Sequence, residues 1–229
     1  MKVNLFCREA GFGPPLILLH GNGEDSGYFS SQIEYFSRFR HVYAVDTRGH
    51  GRSPRGNAPF TISQFADDLY AFMVQRGIPK ADILGFSDGG NTALVFALRY
   101  PQMVGRLILN GANLYSKGVK PSVQLPIIWG YRIASFFAKR SEKAKANAEM
   151  LGLMVNCPDL KESELSAITC PTLVIAGSRD MIKHCHTLAI HKAIRDSELI
   201  ILKGDHFIAN KCPAEFNRAV EKFLQEGAH

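Results

Sequence analysis

Ile83-Leu84-Gly85-Phe86-Ser87-Asp88-Gly89-Gly90 is an aliphatic run that breaks into Gly-x-Ser-x-Gly and continues into a helix-forming segment. A strand that ends at Ser87 and turns at once into a helix forces the serine into a strained conformation, tolerable only where its neighbours lack side chains. Gly85 and Gly89 give that clearance. The spacing predicts a helix over 91–100 with Ala93, Leu94, Ala97 and Leu98 on one face, stopped by Pro101. Its first amide, from Asp88, points where charge gathers when Ser87 attacks a carbonyl, with the positive end of the helix dipole behind it. A plain glycine turn containing a serine has the same composition. The choice rests on finding a base, an acid and a second amide donor elsewhere.

Upstream, Val3 to Cys7 reads as a short strand and Leu16 to Leu19 as a strand buried on both faces, as in a parallel sheet. The second of these ends in His20-Gly21-Asn22-Gly23, where two glycines allow a tight fold that leaves amides unpartnered. The Asn22 amide is the candidate donor opposite that of Asp88. Asp25 or Ser26 then caps a helix through Gln32, Ile33, Phe36 and Phe39. A strand over 41–45 leads into Asp46-Thr47-Arg48-Gly49-His50-Gly51-Arg52-Ser53-Pro54. Its two glycines and proline favour a structural turn over a catalytic role for Asp46, Arg48 and His50. A helix is expected over 61–76 with Ile62, Phe65, Leu69 and Phe72 or Met73 inward and Thr61 or Ser63 as its cap. A strand over 104–109 follows, and the alternation predicts a parallel sheet with right-handed crossovers.

The chain has 229 residues, 46% of them hydrophobic, which suits one domain (1–229) with a full core. Lys and Arg outnumber Asp and Glu by 27 to 21, but the cations are spread along the chain without aromatic interleaving, so no nucleic-acid partner is expected. No run is long enough for a membrane span, and Met1-Lys2-Val3-Asn4 opens no signal core, so a cytoplasmic protein is expected. Five cysteines without Cys-x-x-Cys spacing read as reduced thiols rather than a disulfide framework.

Three motifs in order, His20-Gly21-Asn22-Gly23, Asp46-x-Arg48-Gly49-His50-Gly51-x-Ser53 and Gly85-Phe86-Ser87-Asp88-Gly89-Gly90, resemble those of the α/β-hydrolases of the serine-nucleophile type. The resemblance runs from about Leu16 to Leu224 outside a middle insertion. It implies an α/β fold, a mostly parallel doubly wound sheet with a short helical cap insertion, and a chain order of nucleophile, acid, histidine. Asp180, just past the strand expected over 171–176, lies on the sheet edge where Ser87 sits and is the candidate acid. Asp46 and Asp159 lie in the turn and the insertion, and Asn110 cannot carry the charge. His206, after the last strand (198–202), is the candidate base. His20, His50, His191 and His229 are worse placed, and His184-Cys185-His186 makes a poor metal cage. A helix over 214–225 closes the fold.

The insertion, 112–168, resembles the family's cap. Its Trp129, Phe136, Phe137, Met150 and Met154 are candidates to line an acyl or leaving-group site, beside a packing role between cap and core. Lys139, Arg140, Lys143 and Lys145 form a basic stretch, read as a solvated helix face. The resemblance implies ester hydrolysis through an acyl-enzyme, with no metal or organic cofactor and a small ester-like molecule as partner of a monomer or homodimer. Carbon-carbon bond hydrolysis or perhydrolysis on the same triad, and a non-catalytic ligand receptor, are the alternatives. The Ser-Asp-Gly-Gly elbow is also similar to that of the valacyclovir hydrolase (biphenyl hydrolase-like) group, where this aspartate holds the amino group of an amino-acid ester. Asp88 therefore either selects a cationic substrate or caps the elbow helix.

Overall fold

The computed structural model describes residues 3–225. Its sheet has seven strands in the order β1-β3-β2-β4-β5-β6-β7: β1 (Cys7–Ala10), β2 (Pro15–Leu19), β3 (His41–Val45), β4 (Ala81–Phe86), β5 (Val104–Asn110), β6 (Thr172–Gly177) and β7 (Ser197–Leu202). Only β1 runs antiparallel, pairing Cys7 with Val45 and Ala10 with Val42. The first strand thus lies later than the hydrophobicity of 3–7 predicts. Leu5 is buried but unpaired, whereas Cys7 to Ala10 find an open edge on β3. The other strand positions match the sequence reading to within a residue or so.

Alternation of side chains makes two cores. Ile17, Leu19 and Ile83 face α2 (Ile62–Gln75) and α3 (Asp88–Arg99). Leu16, Leu18 and Leu84 face α1 (Ser30–Phe36) and the C-terminal helix, whose Phe216, Val220, Phe223 and Leu224 are buried at helical spacing. The central strands are apolar on both sides because both faces are covered. Thr61 caps α2 by accepting the Gln64 N–H, and Asp25 accepts the Gly27 N–H at the turn before α1.

Between β5 and β6 the chain leaves the sheet and builds two long helices, α4 (Pro121–Phe137) and α5 (Glu142–Asn156), packed on one another. Gln124 Nε2 donates to the Met154 carbonyl across the pair, and Gly130 and Gly152 let the backbones approach Leu151 and Tyr131. The Arg55 guanidinium holds the Glu149 carboxylate of α5 at 2.8 and 2.6 Å, tying the hairpin to the body. After β6 come α6 (His184–Ala193), the short α7 (Ile208–Lys211) beyond β7, and α8 (Pro213–Gln225). No helix among the described residues is long and apolar enough to cross a membrane.

Candidate active site

Ser87 has φ 53° and is the only non-glycine residue with positive φ among those described. The strain is held in place by its neighbours. A Cβ on Gly85 would overlap the Gly89 carbonyl, and one on Gly89 would overlap the backbone of Leu19. The turn closes only because these two positions lack side chains, as the glycine spacing predicts.

The loops after β6 and β7 bring two more groups to this edge. His206 Nδ1 lies 2.7 Å from Asp180 Oδ1, and its Nε2 lies 3.0 Å from Ser87 Oγ. Both His206 and Asp180 are buried. Asp180 Oδ1 also accepts the Ile182 N–H at 2.9 Å, which orients the carboxylate. A carboxylate can only accept, so Nδ1 carries the proton and Nε2 is left as the acceptor for the serine O–H. Gly177 and Gly111 make room. A Cβ on Gly177 would overlap the Asp205 carbonyl, and one on Gly111, at φ 63°, would stand 2.7 Å from His206 Cε1.

On the opposite side, the Gly21 N–H donates to Glu24 Oε2 at 3.1 Å, and no protein acceptor among the described residues takes the N–H of Asn22 or Asp88. The loop is pinned from behind by His20. The Thr47 N–H donates to His20 Nε2 at 3.0 Å, so Nδ1 must carry the hydrogen, which it donates to the Gly21 carbonyl at 2.7 Å. Burial holds the His20 pKa below its usual value, keeping the ring neutral. The Asn22 side chain donates to the Met150 carbonyl at 2.7 Å, so α5 sits directly over this loop.

Asp88 is buried at the start of α3. One carboxylate oxygen accepts from Asn91 Nδ2 at 3.1 Å, and the other is buried without a partner. It makes no capping bond to a main-chain N–H among the described residues. Burial lifts its pKa to about 6, against the Asn91 hydrogen bond and the nearby His206, which both lower it. Asn91 is held in turn by Asn113, whose N–H it accepts at 2.8 Å.

Three neighbours of the site escape sequence reading. Glu24, beside the glycine loop, has its pKa raised to about 7 by burial, with the Gly21 hydrogen bond opposing. Tyr28 stacks on Phe86 at 4.4 Å, Phe86 lies 4.8 Å from His206, and the Tyr28 hydroxyl is buried without a partner. Gly111 was signalled only by Asn110-Gly111 at a strand end, an ordinary turn dipeptide.

The other expectations divide. Met150 and Met154 are half-buried on α5, and the Met150 methyl would lie 3.7 Å from a Cβ placed on Gly23. Trp129, Phe136 and Phe137 are not packed between cap and core. They stand 62%, 73% and 46% exposed on the outer side of α4, because the inner side is used to pack on α5. The Asp46 loop is a buried structural turn. Asp46 accepts the N–H groups of Ser26 and Arg52, and Arg48 forms a two-pronged ion pair with Asp68 at 2.7 and 2.6 Å. Asn110 is buried, with its amide 3.4 Å from the Ile175 carbonyl. His186 accepts the Leu114 N–H at 3.0 Å and so fixes where the chain departs from the sheet; His229 lies outside the described residues.

A family model described as the alpha/beta hydrolase fold matches residues 14–149. The chain belongs to the α/β-hydrolase family of enzymes. It is similar to a protein named serine hydrolase BPHL, with 28% identity to the Homo sapiens form and 30% to that of Mus musculus, over 97% of this chain and 84% of each relative. Its elbow similarity to the biphenyl hydrolase-like group thus extends over nearly its whole length. It is also 28% identical to 3-oxoadipate enol-lactonase 2 of Acinetobacter baylyi, over 93% of this chain and 89% of that one. Among solved structures, the enol-lactonase from Burkholderia xenovorans LB400 shares the fold with a TM-score of 0.82 at 22% identity, covering 98% of this chain and 97% of that one.

Proposed function

We propose that this hydrolase cleaves small carboxylic esters through an acyl-enzyme on Ser87, and that it favours esters of α-amino acids. The observation that carries the reading is the unbroken line from Ser87 Oγ through the His206 imidazole to Asp180, at 3.0 and 2.7 Å. His206 Nε2 takes the hydroxyl proton as Oγ adds to the ester carbonyl. The N–H groups of Asn22 and Asp88 hold the oxyanion. The intermediate collapses with cleavage of the C–O bond, and His206 returns the proton to the departing alkoxide. A water molecule then repeats the two steps on the acyl-enzyme, releasing the acid and restoring Ser87. Asp180 stabilises the imidazolium without taking the proton. The α4–α5 hairpin serves as the cap, with Met150 and Met154 on its inner side.

Two features support the preference for amino-acid esters: similarity to the serine hydrolase BPHL, and the unpartnered Asp88 oxygen beside the nucleophile. A buried carboxylate oxygen without a donor costs free energy that a substrate ammonium group would offset.

The test is labelling by a fluorophosphonate probe, together with a screen of p-nitrophenyl and amino-acid esters of graded size. Wild type should label at one serine and turn over small esters. A protein that neither labels nor hydrolyses any of them is a ligand receptor, and the reading fails.

A further inference from the structure

The outer face of α4 is apolar where a solvated helix is normally polar. Leu125, Trp129, Ile133 and Phe136 follow one another at four, four and three residues, so they form a continuous stripe, and they are 56%, 62%, 59% and 73% exposed. The opposite side of the same helix, through Gln124, Tyr131 and Ala134, is occupied by α5 or buried. α4 therefore packs on α5 through one side, and the apolar stripe on the other has no partner among the described residues. Contiguous exposed aromatic and aliphatic side chains of this kind mark an interaction surface rather than ordinary solvent-facing sequence.

The charges around the stripe select the partner. No Asp or Glu occurs anywhere from Gly89 to Ser141. Exposed cations bracket the helix at both ends, Lys117 and Lys120 before it and Lys139 and Arg140 after it, and Arg132 lies on the stripe itself with its guanidinium 5.7 Å from the Trp129 ring. None of these five forms an ion pair among the described residues. A second copy of the chain docked here about a two-fold axis would set cations against cations in either helix orientation, because both ends are basic. An anionic lipid surface meets the requirement at every position: Trp, Phe, Ile and Leu enter the acyl boundary while the flanking Lys and Arg stay among the headgroups.

We propose that the outer face of α4 docks this enzyme reversibly on anionic lipid bilayers, lying in the interface and not spanning it. The hairpin that covers the glycine loop through Asn22 and Met150 is then the part held at the lipid, so substrates dissolved in the bilayer surface reach the enzyme on its cap side.

Trp129 is the only tryptophan, so its emission reports this face without interference. The full chain is mixed with unilamellar vesicles of phosphatidylcholine, with and without about a third phosphatidylserine. Phosphatidylserine vesicles should shift Trp129 emission to the blue, protect it from acrylamide, and carry the protein in flotation. Arg132→Gln combined with Arg140→Gln should weaken partitioning on the order of 10-fold, and salt should do the same. Ile133→Ser with Phe136→Ser keeps the reporter and should abolish the shift, with melting by circular dichroism confirming that both variants are folded. Equal partitioning onto the two vesicle types, or emission unmoved by either, overturns the proposal. So does a sedimentation dimer that Ile133→Ser with Phe136→Ser dissolves, since that assigns the face to a second copy.

Discussion

The Glu24 carboxylate accepts the N–H of Gly21 at 3.1 Å, so one side chain four positions past His20 takes the first amide of the glycine loop out of use as a donor to anything else. With Gly21 occupied, the Asn22 N–H, which has no protein acceptor among the described residues, is the donor proposed for the oxyanion. Glu24→Ala should release the Gly21 amide, loosen the loop and lower kcat roughly 10-fold with little change in KM, in keeping with loss of a group felt mainly in the transition state. Steady-state kinetics on a p-nitrophenyl ester checks this. An increase in KM alone would show that the loop binds substrate instead.

Ser87→Ala should reduce turnover by on the order of 10⁶, by analogy with a measured serine hydrolase, leaving what the oxyanion donors and binding supply. Single-turnover assays with mass detection of the acyl-enzyme read it directly. Retention of most of the esterase activity would put the nucleophile elsewhere.

Asp88 carries opposite consequences for selectivity and stability. Comparing an amino-acid ester with its des-amino analogue, Asp88→Asn should erase most of the preference; equal selectivity in the two proteins removes the amine role. Its folded pKa, about 6, lies above the 3.8 of a free aspartate. The folded state therefore holds the proton more tightly, and this group's contribution to stability falls as pH rises from about 4 through 6. At pH 8 Asp88→Asn should thus melt higher than wild type, by free energy on the order of 3 kcal/mol at most, and the advantage should vanish near pH 4. Calorimetry at both pH values tests the sign.

Gly111→Ala places a methyl group 2.7 Å from His206 Cε1 at a backbone angle of φ 63°. The left-handed conformation alone costs roughly 1–2 kcal/mol, which a folded domain tolerates. The displaced imidazole should cost far more in rate, so kcat should fall at least about 100-fold while circular dichroism is unchanged. Normal turnover in the folded variant would mean that His206 is free to move.

Arg48→Ala, in the turn that also seats Asp46, leaves the Asp68 carboxylate of α2 buried without its partner. Breaking such a pair costs about 3–5 kcal/mol. The expected loss appears in urea unfolding, and a change under about 1 kcal/mol would show that Gln64, which also donates to Asp68, suffices.

The order of strands and helices, the glycines of the strained turn, and the positions 87, 180 and 206 as candidates were all legible in the linear sequence. They depend on local rules: periodicity of apolar residues, the steric demand of a positive φ, and the sheet edge at which strand ends emerge. Tertiary structure alone decided which side of α4 met α5. Periodicity marks that helix as apolar nearly all round, and only packing uses up one face, leaving Trp129 and Phe136 outside. It also decided that Asp88 has no partner for its second oxygen, that Glu24 occupies the Gly21 amide, and that Gly111 is the clearance for His206. Burial and hydrogen-bond satisfaction depend on chain segments distant in sequence, and no local pattern of residues encodes them.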